Sequence, residues 1–310
     1  MALRELKEDD VGRPDRADGA VRALEEGHVL FFRRTPLAIP EEEIEFLRGE
    51  RQGGGRLHKN IAYRPARDRV TGHARGAGGD GERLRRSLAA YSRAARDFLD
   101  RLLPSYAGSW QTDYASFRPF EEEGRDLPPH SRNDRIHVDA FPTRPTHGDR
   151  ILRIFSNIHA DRPREWMSGG TFERLADRYA VSSGLLDAAL RRRSWRFGAR
   201  LLGRLGMHGP ERSAYDDFML RFHDFLKDNE EVQTSPERER FSFPAGSTWL
   251  VYTDMVSHAV LSGRFALEQT MIVARPAMRL PEKAPVAILE KLAGRPMARA
   301  ARTEDARSGA

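Results

Sequence analysis

The chain has 310 residues, of which 39% are hydrophobic, so it is long and apolar enough to bury the core of at least one domain. It carries 52 Lys and Arg against 46 Asp and Glu, and this net charge of +6 favours anionic partners without identifying them. It contains no cysteine, which excludes disulfides, thiolate metal sites and cysteine nucleophiles.

Residues 1–20 are rich in charged side chains and lack the apolar stretch that a secretory signal needs. We expect this segment to be loose. No apolar run in the sequence approaches the roughly 20 residues that cross a bilayer. The sequence therefore predicts a cytoplasmic protein without a membrane span.

The first half of the chain contains one strong helical pattern and several weaker patterns. Residues 82–103 place apolar side chains at three- and four-residue steps up to Pro104, which predicts an amphipathic helix. A short apolar run at 27–32 predicts a strand, and residues 41–50 predict a short helix. Residues 58–64 fit either an edge strand or a loop.

The second half alternates strand patterns with a helical block. Strands are predicted at residues 113–118, 134–138, 150–159, 240–243, 248–253 and 265–274, and helices at 185–205, 213–227 and 286–292. This order favours one mainly β (α+β) domain with peripheral helices over alternating βαβ units. We predict a single domain over residues 1–280 with a helical insertion at about 171–230, followed by a C-terminal helix and a polar tail over 281–310.

The tripeptide His137-Val-Asp139 lies at the end of a short strand pattern. Side chains at positions i and i+2 of a strand face the same side, so His137 and Asp139 can reach one ion. His258 follows a later strand pattern and is a suitable third ligand. Two histidines and one carboxylate leave one face of the ion open, as non-haem Fe(II) oxygenases require for a chelating cosubstrate and O2. We predict these three residues as the iron ligands and the catalytic centre.

A second tripeptide of the same form, His159-Ala-Asp161, competes with the first. It lies at the far end of the strongest strand pattern and runs into Pro163, which is typical of a turn. His137 precedes that strand and has a distant histidine partner in His258. We therefore prefer the first tripeptide, although the motif is short and His137 could instead be a surface residue paired with Asp139.

A 2-oxoglutarate site also needs a cation for the distal carboxylate, preferably an arginine that binds it bidentately. Arg153 and Asn157 share one face of the strongest predicted strand, and an inward arginine beside a metal needs an anion to offset its burial. Arg264 and Arg275 follow His258 and are alternatives, although either could be a solvated surface arginine. We rank Arg153 first and Arg264 second.

Longer strings around these residues resemble a known family. The matching segments are 137–146 (HVDAFPTRPT), 150–157 (RILRIFSN), 244–254 (PAGSTWLVYTD), 257–263 (SHAVLSG) and 266–270 (ALEQT), with a weaker match at 59–63 (KNIAY). They are similar to the Kdo 3-hydroxylases, Fe(II)/2-oxoglutarate-dependent dioxygenases that act on the Kdo sugar of lipopolysaccharide. The resemblance covers roughly residues 20–280 and is densest in the two segments that carry the predicted iron ligands.

The resemblance implies a double-stranded β-helix (jelly-roll, cupin-like) core with His137, Asp139 and His258 as iron ligands. It also implies oxygen insertion at C3 of Kdo in Kdo2-lipid A or a precursor, giving the sugar Ko, at the cytoplasmic face of the inner membrane. Many 2-oxoglutarate oxygenases carry the cosubstrate arginine about ten residues after the distal histidine. The residue at the corresponding position after His258 is Glu268. This departure gives more weight to Arg153.

An anionic sugar lipid would be recognised by cations. Arg144, between two prolines just after the metal motif, is a candidate contact for the sugar carboxylate, and Lys59, Asn60 and Tyr63 are weaker substrate candidates. A further basic segment combines several arginines with apolar residues, at Arg191, Arg192, Arg193, Trp195, Arg196, Phe197, Arg200, Leu201 and Arg204. Such a segment could lie as a helix on an anionic membrane, or be an ordinary solvated basic face.

Three other functions compete with this reading. The chain could be a 2-oxoglutarate oxygenase of another anionic substrate, or a cupin-like binding protein without turnover. A nucleic-acid binder is suggested by the arginine content alone, but the sequence lacks interleaved aromatics, a known motif or a concentrated basic tail. We therefore expect no nucleic-acid partner.

Overall fold

β-Strands form the centre of the molecule in the computed structural model, which describes residues 2–51, 60–74, 81–124, 127–191 and 211–298. The strands of this described part are β1 (Leu3–Glu5), β2 (Val29–Phe32), β3 (Ile61–Arg64), β4 (Arg69–Thr71), β5 (Trp110–Arg118), β6 (Arg150–Asn157), β7 (Arg164–Thr171), β8 (Glu239–Phe243), β9 (Thr248–Tyr252), β10 (Val256–Ser262) and β11 (Ala266–Val273). Its helices are α1 (Pro14–Glu25), α2 (Glu41–Gly49), α3 (Gly81–Leu102), α4 (Phe172–Tyr179), α5 (Leu185–Arg191), α6 (Ala214–Asp228), α7 (Glu230–Thr234) and α8 (Pro285–Ala293).

The strands form two sheets. The larger has eight strands in the order β1-β2-β9-β6-β11-β5-β3-β4, and the smaller has the order β10-β7-β8. Apart from the parallel pair β1 and β2, the paired strands run antiparallel. Two facing, mostly antiparallel sheets with non-sequential strand order form a jelly-roll. The predicted mainly β core with peripheral helices is confirmed.

An aromatic core fills the space between the two sheets. The larger sheet contributes Phe155 and Trp249, whose rings stack at 5.2 Å, and the smaller contributes Trp166 and Phe243. Phe243 also stacks on Trp249 at 4.0 Å. Side chains alternate between the two faces of a strand, and each of these residues lies on the face of its strand that points toward the other sheet. The polar site described below occupies the same inter-sheet space.

Helices cover the opposite face of the larger sheet. The helix predicted at residues 82–103 is confirmed as α3, whose apolar positions, including Leu84 and Leu88, join a second core with Phe117 of β5 and Ile154 of β6. Helix α1 packs its apolar face against β2 and β9. The larger sheet is therefore buried on both faces in its centre, as its continuous apolar strand β9 requires.

Helices α4 to α7 follow β7 and precede β8. Helix α6 begins at a capping box in which the side chains of Ser213 and Asp216 accept each other's backbone N–H groups. Phe172 of α4 packs edge-on against Phe222 of α6. These helices bring α6 against the loop that carries His137, because the Nδ1 of His223 lies 2.7 Å from the carbonyl of Val138. The insertion predicted at about 171–230 remains a prediction about domain organisation.

The structure differs from several sequence-based predictions. The loose segment predicted over residues 1–20 contains β1 and the start of α1, which Pro14 initiates at a position where a missing N–H costs nothing. The strand predicted at 134–138 is reduced to a single bridge at His137. Strands β7 and β10 were not predicted, and His258 lies inside β10. The basic residues 192–204 lie outside the described residues.

Within the described part of the chain, every helix is too short or too polar to cross a bilayer.

Candidate metal centre

His137 and His258 come from distant parts of the chain and are joined by their backbones. The N–H of His137 donates to the carbonyl of His258 at 3.0 Å, and the N–H of His258 donates back at 2.8 Å. This isolated antiparallel bridge brings their rings to a centroid distance of 4.7 Å. The two imidazoles therefore converge because of main-chain pairing, which a sequence pattern alone does not reveal.

The backbone also orients each ring. The Nδ1 of His137 lies 2.7 Å from the carbonyl oxygen of Arg135, and the Nδ1 of His258 lies 3.0 Å from that of Val256. A carbonyl accepts a hydrogen bond, so each Nδ1 carries a proton and each Nε2 keeps its lone pair. A hydrogen bond from the second ring nitrogen to a backbone carbonyl commonly fixes the tautomer and the ring orientation of metal-binding histidines.

Asp139 is positioned by the turn between β9 and β10. Its backbone N–H donates to the carbonyl of Thr253 at 2.8 Å. The next residue in that turn, Asp254, is held by a buried ion pair with Arg150 of β6, at 2.8 Å from Nε to Oδ2. The turn that positions the carboxylate is therefore tied to the larger sheet.

Charge and burial prepare these groups to bind a cation. Burial lowers the pKa of His137 well below its ordinary value, and the nearby His258 and His223 lower it further. Burial also lowers the pKa of His258. Burial alone would raise the pKa of Asp139, but Arg153 and His258 outweigh it and lower that pKa to about 2. At neutral pH the site holds two neutral imidazoles and one carboxylate, the forms that coordinate metal.

The donor set fits a metal ion. Ligand atoms of His137, Asp139 and His258 all lie within 4.8 Å of one another, and all three residues are buried. Two imidazole nitrogens and one carboxylate suit Fe(II) and leave positions open for other ligands. The structure therefore brings together the three residues predicted from sequence, and these residues would hold the ion.

The competing tripeptide forms a turn. The Nδ1 of His159 accepts the backbone N–H groups of Asp161 and Arg162 at 3.2 and 3.1 Å. The carboxylate of Asp161 is largely exposed, whereas that of Asp139 is buried. In the described residues this pair has no third metal-binding side chain near it.

Three arginines with side chains at most 13% exposed, one each from β5, β6 and β7, form a chain of ion pairs that starts at Asp139. Arg153 places its Nε 3.2 Å from Asp139 Oδ2 and its Nη1 3.2 Å from Glu268 Oε1. Arg118 contacts the other oxygen of Glu268 at 3.0 Å. Arg164 lies 3.4 Å from Glu122. Two glutamates thus face three arginines, and Asp139 is the third carboxylate.

Arg164 has the least compensated charge of the three. Its side chain is 2% exposed, and burial lowers its pKa to about 10 despite the opposing charge of Glu122. An arginine whose burial is so poorly offset favours an additional anion. Gly263, with φ +110°, makes room for it, because a side chain there would come within 2.9 Å of the Arg164 backbone. Sequence reasoning missed Arg164, although its alternation with Trp166 and Ser168 signals an inward strand face.

The other predicted cosubstrate residues are bound elsewhere. Asn157 donates to the carbonyls of Arg162 and Phe243 and accepts the N–H of His159, so its amide holds the end of β6. Arg264 donates to the carbonyl of Pro119 and stacks over Phe265. The structure does not bring either side chain into contact with Asp139 or Glu268 in the described contacts.

The predicted substrate residues are divided between the two faces of the sheet. Arg144 stacks over Phe141 at 4.3 Å, and that ring lies 5.5 Å from the guanidinium of Arg153. Tyr63 lies on the helix-covered face, where its hydroxyl donates to Asp68. The structure therefore does not bring Tyr63 to the metal cluster, because strand alternation turns it outward. Asn60 precedes β3, and Lys59 lies outside the described residues.

Comparisons with known proteins agree with this site. The family profile of 3-deoxy-D-manno-oct-2-ulosonic acid (Kdo) hydroxylase matches residues 7–296. A search of curated proteins finds no match.

Solved structures of the Kdo hydroxylase KdoO, a non-haem Fe(II) α-ketoglutarate-dependent dioxygenase, are similar along the whole chain. The complex with α-ketoglutarate and Fe(III) is 34% identical, covers 96% of this chain and 98% of its own, and has a TM-score of 0.80. The cobalt(II) complex is 34% identical over 100% of both chains, with a TM-score of 0.82. The complex with succinate and Fe(III) is 33% identical over 100% of both chains, with a TM-score of 0.80.

Proposed function

The chain belongs to the Kdo hydroxylase family, and on this premise we propose that it is an Fe(II)/2-oxoglutarate-dependent dioxygenase that hydroxylates C3 of a Kdo residue in Kdo2-lipid A or a precursor. Family membership confirms the resemblance inferred from residues 137–157 and 244–270. The observation that carries the proposal is the buried cluster of His137, Asp139 and His258, whose ligand atoms lie within 4.8 Å of one another.

We assign the three cluster residues as the iron ligands. When bound, iron with 2-oxoglutarate and O2 supplies the oxidising power that removes a hydrogen from carbon and replaces it with hydroxyl. The protein orients the groups and excludes water. The aromatic core of Phe155, Trp166 and Trp249 walls one side of the site, and Trp166 stacks on His258 at 5.0 Å.

We assign the arginine cluster to the cosubstrate. Arg118, Arg153 and Arg164 are balanced by Glu122, Glu268 and Asp139, so coordination of Asp139 to the metal ion leaves one positive charge for the distal carboxylate. Arg153 was ranked first from sequence, but it is already paired with Asp139 and Glu268. We propose that Arg164 is the principal contact and that Arg153 orients Asp139. Arg264 supports this role less well because it is partly exposed, whereas Arg164 is buried. Asn157 is uncharged, and its amide N–H groups are donated to backbone carbonyls.

The substrate's own chemistry supports the choice of carbon. A 3-deoxy sugar carries hydrogen where its relatives carry hydroxyl at C3, and an ulosonic acid carries a carboxylate. A cation at the entrance can hold that carboxylate and place C3 toward the metal. Arg144, half-buried and stacked between Tyr114 and Phe141, is the proposed contact.

Product analysis tests the proposal. Purified protein with Fe(II), 2-oxoglutarate, ascorbate and Kdo2-lipid A should release succinate and add one oxygen to the lipid, and fragmentation should place it at C3 of Kdo. Incorporation of oxygen into a different anionic substrate, with none into the lipid, would favour a 2-oxoglutarate oxygenase of that other substrate. Substrate binding without 2-oxoglutarate turnover would favour a binding protein.

We further propose that the protein works in the cytoplasm against an anionic membrane surface. The support is the net charge of +6 and the basic, apolar segment at residues 191–204. An enzyme bound at the membrane surface would act on a lipid substrate without removing it from the bilayer.

A further inference from the structure

An alternating series of guanidinium groups and aromatic rings leads outward from the candidate metal centre. It begins at Arg153, which contacts Asp139, and continues through the ring of Phe141 to Arg144. Arg144 also lies over Tyr114, at 3.9 Å from the ring centroid. The guanidinium of Arg64 lies over the same ring at 5.1 Å. The series therefore connects the metal site to strand β3 near the edge of the larger sheet.

Strand alternation places Arg64 on the side of the sheet that faces the metal. Glu268 faces inward and pairs in register with Ser116, which in turn pairs with Ala62. Arg64 is two residues further along β3, so it shares the face of Ala62 and opposes the outward Tyr63. Arg64 was not among the residues singled out from the sequence, because its role depends on this register.

The two arginines at the outer end of the series differ in their ion pairs. Arg144 is paired with Asp113. Within the described residues, Arg64 has no ion pair, and its Nε is buried without a hydrogen-bond partner. Arg64, Tyr114 and Arg144 are all partly exposed, so a ligand can reach them. A guanidinium that is packed against a ring yet lacks an anion is suited to bind one from outside.

We propose that Arg64, with the Tyr114 ring and Arg144, forms an outer anion subsite that binds a second acidic group of the substrate, next to the sugar that is hydroxylated. The inference rests on the proposed function, because Arg144 is taken to hold the carboxylate of the reacting sugar. A planar guanidinium binds a carboxylate or a phosphate with two parallel hydrogen bonds, and the ring offers an apolar surface to the sugar. The second anion is either the carboxylate of an adjoining Kdo or a phosphate of the lipid.

Steady-state kinetics of an Arg64→Gln variant test the subsite. With Kdo2-lipid A and saturating 2-oxoglutarate, we expect KM for the lipid to rise about ten-fold or more while kcat changes little, because the lost contact is remote from the reacting carbon. Arg64→Lys keeps the charge without the planar fork and should recover part of the loss. The matched control is Arg67→Gln, which removes an exposed arginine from the turn after β3 and should leave KM unchanged.

Two modified lipids identify the second anion. If the effect of Arg64→Gln persists on lipid without its phosphates and disappears on lipid with a single Kdo, the anion is the adjoining carboxylate. The reverse pattern assigns a phosphate. The proposal is overturned if KM for Kdo2-lipid A is unchanged in Arg64→Gln, or if KM rises equally on all three lipids, since the contact would then be to the reacting sugar itself.

A binding measurement separates this inference from the proposed function. Protein loaded with Co(II) and 2-oxoglutarate is titrated with Kdo2-lipid A, and the affinities of wild type and Arg64→Gln are compared. Weaker binding by the variant supports the subsite even if the wild type shows no turnover, in which case the proposed reaction alone fails. Equal binding by a wild type that turns over the lipid overturns the subsite and leaves the reaction standing.

Discussion

Two histidines of the site have their protonation pattern fixed before any metal arrives. The carbonyls of Arg135 and Val256 hold the Nδ1 protons, so both Nε2 atoms are free as ligands. The lowered pKa values of His137 and His258 remove competition from protons near neutral pH. Metal binding then requires little rearrangement of the ligands themselves.

Replacing any one of the three ligands with alanine should abolish turnover and weaken metal binding. For His137→Ala, Asp139→Ala and His258→Ala we expect loss of 2-oxoglutarate decarboxylation by a factor of about a hundred or more, since each removes a metal ligand. Co(II) titration followed by visible absorption measures the binding directly. His159→Ala is the matched control because it alters the competing tripeptide. Full activity in any of the three ligand variants would contradict the assignment.

Glu268 should make the metal-free protein sensitive to acid. Burial raises its pKa, but Arg153 and Arg118 outweigh burial, so the pKa lies below the ordinary value. A carboxylate with a lowered folded-state pKa stabilises the protein above its unfolded-state pKa, and this contribution is lost as pH falls through the folded-state value. We expect the free energy of unfolding to decline below about pH 4.5, near the ordinary pKa of a glutamate.

The variant Glu268→Gln tests this directly by urea unfolding between pH 7 and pH 3. It should be less stable than wild type by about 3 kcal/mol at neutral pH, because it leaves two largely buried arginine side chains, 13% and 11% exposed, poorly paired. The difference in the free energy of unfolding between the variant and wild type should shrink as pH falls. Glu282→Gln alters an exposed carboxylate and should change neither stability nor its pH dependence. A constant difference at all pH values would refute the role assigned to Glu268.

At the scale of elements, strands β5 and β6 of the larger sheet and β7 of the smaller sheet each contribute one arginine to the chain of ion pairs that starts at Asp139. Sequence periodicity predicted β6 and with it the inward direction of Arg153. It did not predict β7, because its two glycines and its glutamate are uncommon in strands, and Pro163 directly before it is typical of a turn. Because β7 was not predicted, the inward position of Arg164 was not predicted either. The polar and glycine content of β7 reflects its place beside a polar site.

Arg164 should control affinity for 2-oxoglutarate. We expect Arg164→Gln to raise KM for 2-oxoglutarate about ten- to hundred-fold, since a charge-assisted bidentate contact to the distal carboxylate is lost. Initial rates at varied 2-oxoglutarate measure it. Arg162→Gln, an exposed arginine two residues away, is the control. A large rise in Arg264→Gln with none in Arg164→Gln would return the role to the residue ranked second from sequence.

Features that depend on local periodicity could be predicted from the sequence, whereas features that depend on pairing between distant strands could not. Helix α3 and strands β6, β9 and β11 were predicted because their apolar periodicity is local. The His137–His258 bridge, the inward position of Arg64 and the outward position of Tyr63 depend on register between distant strands. The three residues that form the candidate metal centre were nevertheless singled out, because the required residue types and the i, i+2 spacing appear in the sequence itself.

At the scale of the whole molecule, two sheets enclose an aromatic core at one end and a charged metal site at the other. The inner face changes along β6 from Arg153 beside Asp139 to Phe155 within the aromatic core. The aromatic core borders one side of the site, and the partly exposed Arg64, Tyr114 and Arg144 lie at the outer end of the series that leads away from it. A substrate with several acidic groups fits this basic surface better than a neutral one.

The positive charge of the molecule should bring it to anionic membranes. We expect sedimentation with vesicles containing an anionic lipid at low ionic strength, loss of binding at high salt, and no binding to zwitterionic vesicles. Changing Arg192, Arg193 and Arg196 to glutamine should weaken binding more than the same change at the exposed arginines Arg93, Arg96 and Arg101 of α3, although both variants lose three charges. Equal weakening would attribute binding to net charge alone, and no vesicle binding would contradict the proposal.

Isotope labelling of the reaction tests the central claim most directly. With 18O2, Fe(II), 2-oxoglutarate and Kdo2-lipid A, the account predicts one 18O atom in succinate and one at C3 of Kdo, with equal amounts of succinate and hydroxylated lipid. All of this should be lost in His137→Ala. Succinate formed without labelled lipid, or a lipid whose added oxygen comes from water, would contradict it.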